Sequence, residues 1–297
     1  MNVGGELFLT QFADYNAYDE GDSVVLTELS LNCFFSVAVF LPLSFWIVFP
    51  SVVDRSFYRF NSGLNCFILS LGVFALIFVF FLNNNQINDT KIDNTKIIGT
   101  LVAIFWLIIL LICVWSQWKK ERPNIVILSL PSVVGILANI IVLPLIISDI
   151  SLIRALGSTL IGGMTLSLSL YAMILGHWYL NVEKMPISLL DQTVLVYMAM
   201  LFLRLVWNIF AIITEDIEYD GYILALPAFI ASLDGFLIGV AIFFGVIFPI
   251  ISLILVRRTL HHKSTQAATG ILYVIVVSAI IGDFSYRYYL LNYKVIL

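Results

Sequence analysis

Residues 97–118 read IIGTLVAIFWLIILLICVWSQW, without one charged side chain. Such a run either fills the core of a large protein or crosses a bilayer, whose ~30 Å hydrocarbon core needs about 20 apolar helical residues. The number of such runs decides between the two. Segments at 26–50, 63–82, 97–118, 124–148, 153–181, 187–214, 222–256 and 267–291 all reach that length. The chain has 297 residues, of which 61% are hydrophobic and 11% charged. A soluble domain needs about a quarter of its residues charged. In hydrocarbon every backbone polar group must be satisfied within the segment, which makes each run a helix. The predicted fold class is all-α, a polytopic integral membrane bundle of about eight transmembrane helices.

The spans are separated by DRSFYRFNSG, NNNQINDTKIDNTK, KKERPN, EKMP, EDIEYDG and RRTLHHKSTQ. Domain organisation is then simple: an acidic segment at 1–24, without Lys or Arg, followed by one eight-helix domain at 25–297. Lys and Arg set the orientation of a multi-pass protein. Arg55, Arg59, Lys119, Lys120, Arg122, Lys184, Arg257, Arg258 and Lys263 fall on one side. Lys91, Lys96, Arg154, Arg287 and Lys294 fall on the other. The richer side is expected to be cytoplasmic, with both termini facing away from it. The N-terminus lacks the basic region and cleavage site of a signal peptide. The triplet NDT at 88–90 matches a glycosylation sequon, a pattern short enough to recur by chance.

Several chemistries are poorly served by this sequence. A net charge of −4 with no basic tract offers nothing to nucleic acid. Cys33, Cys66 and Cys113 lack the spacing of an Fe–S or zinc motif. His177 is the one histidine inside a span, since His261 and His262 lie in a basic loop, so a bis-histidine haem has no second ligand. No GxSxG or HExxH pattern marks a hydrolase. The expected metal content is none.

In the fifth span Ser158, Gly162, Thr165, Ser169, Ala172 and Gly176 follow one another at steps of four and three, one helical face from end to end. Small residues on one face let a second helix approach closely in lipid. Ala231, Gly235 and Gly239 in the seventh span make it the expected neighbour, with both helices central. The seventh span is also long enough to be tilted, or broken near Gly245 and Pro249.

Charges inside spans cost roughly 2.5–3.5 kcal/mol each at the helix centre, so they are paired or functional. At 1.5 Å per residue, Arg204 lies about 15 Å from the outer surface, Asp234 about 18 Å and Asp283 about 12 Å, with Arg287 one turn from Asp283. The four form one expected layer, Arg204 touching Asp234 or sharing a cluster with Asp283. It serves either as a network that fixes helix register, as a proton or quinone-headgroup site, or as a translocation path. Near the inner surface, His177 and Asp191 both lie about 6 Å deep on consecutive helices. A contact between them would orient the imidazole beside Trp178 and Tyr179. The two aromatics serve equally as interface anchors, and the histidine as a merely hydrogen-bonded one.

ATGILYVIVVSAIIGDFSYRYYL, from Ala268 to Leu290, resembles the final helix of NrfD/DmsC-type subunits, the membrane anchors of polysulfide-reductase and dimethyl-sulfoxide-reductase complexes. The matching positions are Thr269, Gly270, Tyr273, Gly282, Asp283, Arg287 and Tyr288, where the family's acid is more often Glu than Asp. DRSFYRFN and GHWYL also look like a group of bacterial eight-span proteins. The resemblance implies a quinone-interacting subunit of a respiratory oxidoreductase complex in a bacterial cytoplasmic membrane, not a catalyst alone. It implies no haem, no Fe–S cluster and no covalent cofactor, a quinone as ligand, and an Fe–S protein among its partner subunits. His177, Trp178, Tyr179 and Asp191 are the candidates for quinone and proton handling. The alternatives are a proton-coupled secondary transporter and a structural or assembly protein.

Overall fold

The computed structural model describes residues 26–48, 53–82, 94–147, 150–182, 185–219 and 221–297. The acidic segment at 1–24, the triplet at 88–90 and Lys184 lie outside the described residues. Within them, eight helices are long and apolar enough to cross a membrane. They are α1 (Leu26–Trp46), α2 (Arg55–Phe81), α3 (Asn94–Gln117), α4 (Ile125–Ile146), α5 (Leu152–Asn181), α6 (Ile187–Thr214), α7 (Phe236–His261) and α8 (Thr265–Asn292). The protein is a multi-pass, all-α membrane bundle. Its ends are named here by charge: the basic end carries Arg55, Arg59, Lys119, Lys120 and Arg122.

The most enclosed helices of the bundle are its least hydrophobic ones. The two most enclosed helices, α1 and α5, have the lowest mean hydropathies, 1.7 and 1.6. The much more exposed α3 has the highest, 3.1. Lipid rewards apolar side chains, whereas helix–helix contacts in lipid reward small and hydrogen-bonding ones. On α3, Leu101, Phe105, Ile108, Ile112 and Trp115 are exposed along one face. On α5 the small-residue line is buried throughout. Its neighbour is α8 rather than α7: among the described residues, α5 packs extensively along α8 and makes no comparable contact with α7. A Cβ on Gly176 would stand 3.0 Å from Thr269 Oγ1 of α8. Of the glycines expected to answer it, Gly235 lies in the turn before α7 and Gly239 has nothing within 4 Å.

Two boundaries differ from the sequence reading. α2 begins at Arg55, so DRSFYRFN is mostly helix and not a loop. Arg59 Nε donates to the Trp118 carbonyl at 2.6 Å, and the guanidinium lies 5.7 Å from that indole's centre. Arginine stems lie along apolar helix surface while their heads reach water, which hides a span's true start from a charge-based reading. The seventh span is shorter at its start. Asp216–Tyr219 and Tyr222–Ala225 form a two-stranded antiparallel hairpin, β1 and β2, with Tyr219 opposite Tyr222. Gly221 takes φ +78°. Asp-Gly between strand formers is a strong hairpin signal. A short helix, Leu226–Ile230, then leads to the turn before α7.

Within α7, Phe243–Ile247 is a π-helical turn. Phe248 N–H bonds the Phe243 carbonyl five residues back. In that pattern the Phe244 carbonyl would wait for residue 249, but Pro249 has no N–H. The Ser278 hydroxyl of α8 supplies the missing donor at 2.6 Å. Gly245, in the same turn, meets Gly282 of α8 almost backbone to backbone. Ser278→Ala should therefore leave a buried carbonyl unpaired and cost about 1–3 kcal/mol. Ser285→Ala is the control, since that hydroxyl is exposed and bonds its own helix. Unfolding midpoints of the two variants in one detergent would show the difference, and equal midpoints would refute it.

Candidate functional site

Three of the four expected intramembrane charges meet. Asp283, Arg287 and Arg204 each expose 3% or less of their surface. Arg287 Nε donates to Asp283 Oδ2 at 2.6 Å, one helical turn away on α8. Its other nitrogens reach α1, donating to Asn32 Oδ1 and, at 2.7 Å, to the Ser36 hydroxyl. Arg204 approaches from α6. Its Nη1 donates to the Thr165 hydroxyl of α5 at 3.1 Å and makes a looser contact with Asp283 Oδ1 at 3.4 Å. The guanidinium also lies 4.0 Å from the centre of the Tyr286 ring. The Asn208 amide donates to that ring's hydroxyl.

Four helices thus enclose one carboxylate and two guanidinium groups, a local charge of +1. Space for them comes from α5. A Cβ on Gly162 would stand 2.6 Å from Asp283 Oδ1 and 3.0 Å from Arg204 Nη1. This member of the small-residue line accommodates a charge centre as well as a neighbouring helix. Neutral dipoles face both guanidinium groups: Thr165 and the Tyr286 ring meet Arg204, and Asn32 and Ser36 meet Arg287. Among the described residues, Arg204 Nε, Asn208 Oδ1 and Asn32 Nδ2 have no hydrogen-bond partner. The spacings Asn32/Ser36 and Arg204/Asn208, polar pairs one turn apart in apolar helices, were the available signal for these further members.

Asp234 is not part of this centre. It lies exposed in the turn before α7, where Tyr219 of the hairpin donates to its carboxylate and Tyr289 donates to its backbone carbonyl. The expected Arg204–Asp234 contact is replaced by Arg204–Asp283, because the hairpin takes up the residues that would have carried Asp234 into the membrane.

The second group comes apart in a similar way. His177 is exposed, and its Nδ1 shares a hydrogen bond of 2.9 Å with the Tyr273 hydroxyl of α8. Asp191 does not hold it. The Asp191 carboxylate accepts from Arg257 Nε at 2.9 Å, tying α6 to α7. A full cation outcompetes an imidazole for a carboxylate at this boundary. Trp178 turns toward α2, with its ring 5.6 Å from Phe57 and 6.3 Å from Phe60. Tyr179 donates to the Pro186 carbonyl and closes the turn between α5 and α6. Successive helical residues point about 100° apart, so His177, Trp178 and Tyr179 face three different neighbours. They do not enclose one pocket.

The residues of the C-terminal motif have separate placements. Thr269 packs under Gly176, Tyr273 bonds His177, and Gly282 packs on Gly245. Asp283 and Arg287 enter the charge centre, Gly270 has nothing within 4 Å of its missing Cβ, and Tyr288 is exposed. Among the described residues no three His, Cys, Asp or Glu side chains group as metal ligands. No family model matches the chain, and no curated protein or solved structure matches it either.

Proposed function

We propose that the chain is a quinone-interacting membrane subunit of a respiratory oxidoreductase complex, with an Fe–S protein among its partners. In this reading it sits in a bacterial cytoplasmic membrane with its basic end toward the cytoplasm and both termini on the other side. The observation that carries the proposal is the His177–Tyr273 pair. Two side chains able to give and take protons are hydrogen-bonded to each other on the outer surface of the bundle, near one membrane boundary. A quinone dissolves in the bilayer and reaches such a pair sideways, without an aqueous channel. Its carbonyl oxygen would accept from whichever group carries the proton, while the quinone supplies the redox chemistry. Trp178, Tyr179 and Asp191 then have supporting roles, fixing the ends of α5 and α6.

The test is binding of a short-tailed quinone to the protein in nanodiscs, followed by fluorescence quenching. His177→Gln and Tyr273→Phe should each weaken binding about tenfold, the equivalent of one hydrogen bond of about 1.4 kcal/mol. Asp191→Asn should leave it unchanged. Equal binding by all four proteins would remove the quinone site from this pair.

One observation favours a second reading, a proton-coupled secondary transporter. The π turn and Pro249 interrupt α7 where Gly245 touches Gly282, the residue before Asp283. Interrupted helices beside intramembrane charges are a feature of transporter sites. In that case His177 and Tyr273 substitutions leave quinone binding unchanged, while Arg204 substitutions abolish proton-driven uptake.

A further inference from the structure

The start of α2 and the end of α3 enclose a narrow cleft at the basic end, lined by Arg55, Arg59, Ser62, Trp118 and Lys120, among others. The charge around it is unbalanced: Arg55, Arg59, Lys119, Lys120 and Arg122 against Asp54 and Glu121, five minus two, or +3. Asp54 is occupied by the Ser56 hydroxyl, which holds its carboxyl below the usual carboxylate range. Arg59 uses Nε on the Trp118 carbonyl and lies over the indole. Among the described residues no salt bridge or side-chain hydrogen bond engages its Nη groups, Arg55 or Lys120, although the Arg55 charge also helps to lower Asp54. Ser62 is 5% exposed. Ser62 and three cations without a salt bridge thus line one cleft.

We infer that the mouth of this cleft, whose interior holds only about 10 Å³, binds the phosphodiester of an anionic membrane lipid. Guanidinium and ammonium groups beside a hydroxyl match the oxygens of a phosphate. The position selects a lipid over free phosphate. The cleft opens where two membrane helices end, at headgroup level, with Trp118 as an interfacial aromatic. Toward the bilayer core, both helices continue with exposed apolar side chains, Phe60 and Phe67 on α2 and Leu111 and Trp115 on α3. Acyl chains can lie on that surface while the phosphate stays at the mouth of the cleft. Basic residues at the cytoplasmic boundary commonly recognise anionic lipid, each contributing a factor of about five in binding.

The experiment is native mass spectrometry of the full chain, in mild detergent, titrated with phosphatidylglycerol or phosphatidylcholine. Phosphatidylglycerol should be retained preferentially. Arg55→Gln/Lys120→Gln should weaken that retention about thirtyfold, the product of two such factors. Arg258→Gln/Lys263→Gln removes equal charge at the same end and should not change it. Lys120→Glu alone, on an exposed residue, should also weaken it, which guards against a fold defect in the double variant. Equal retention of the two lipids, or wild-type retention by the Arg55/Lys120 variant, would overturn the inference. So would displacement of the lipid by millimolar inorganic phosphate, which would assign the cleft to a soluble anion.

Discussion

Asp283→Asn should be the most damaging single change at the charge centre, lowering stability by about 3–5 kcal/mol. The reason is the imbalance of two guanidinium groups and one carboxylate, all buried. Neutralising the carboxylate leaves two like charges side by side, with Arg287 keeping only its neutral partners on α1. Arg204→Leu removes the excess charge instead and leaves Asp283 paired with Arg287 at 2.6 Å. Its cost should be much smaller, limited to the lost Thr165 hydrogen bond and the contact over Tyr286. Combining both changes leaves one arginine in place of two, so the double variant should be more stable than Asp283→Asn alone. Unfolding midpoints of the three variants in one detergent provide the cycle. If Arg204→Leu proves as costly as Asp283→Asn, the excess charge does not govern this centre, and Arg204 has a counter-charge that the bundle does not itself provide.

The same residues show what a sequence can carry for a membrane bundle. Eight spans were legible because each crossing must be continuously apolar, and Arg204, Asp283 and Arg287 stood out because charge is rare there. Depth along each helix followed from counting, but only where the helix start was right. Asp234 was misplaced because 222–256 was taken as one span. Its 35 residues already exceeded the roughly 20 that a bilayer needs, and the Asp-Gly pair in the sequence before it signalled a hairpin. Rotation about the helix axis is a different matter. His177 and Asp191 do lie at the same end, yet one faces α8 and the other α7. Which neighbour a residue faces depends on how all eight helices are arranged, and no local pattern encodes that. The small-residue line announced a close neighbour without naming it, and α8 filled the place expected for α7.

The identity of that neighbour leads to the other large effect, at Gly282. A Cβ built there would lie 2.2 Å from the Gly245 Cα and 2.3 Å from its nitrogen. Both atoms are backbone, so no side chain can rotate away, and α7 and α8 would have to separate. The separation would pull Ser278 from the Phe244 carbonyl and disturb Asp283, the next residue. Gly282→Ala should therefore cost about 3 kcal/mol, the upper part of the range for overpacking, despite alanine's better helix propensity. Gly270, on the same helix, has nothing within 4 Å of its missing Cβ. Gly270→Ala should instead stabilise by up to about 1 kcal/mol, the propensity difference alone. The two substitutions are chemically identical and twelve residues apart on α8, so opposite shifts in unfolding midpoint would isolate the helix contact from the helix itself. Shifts of the same sign and size would mean that α7 and α8 do not meet at Gly245, and the support for the π turn and the placement of Asp283 would fall with that contact.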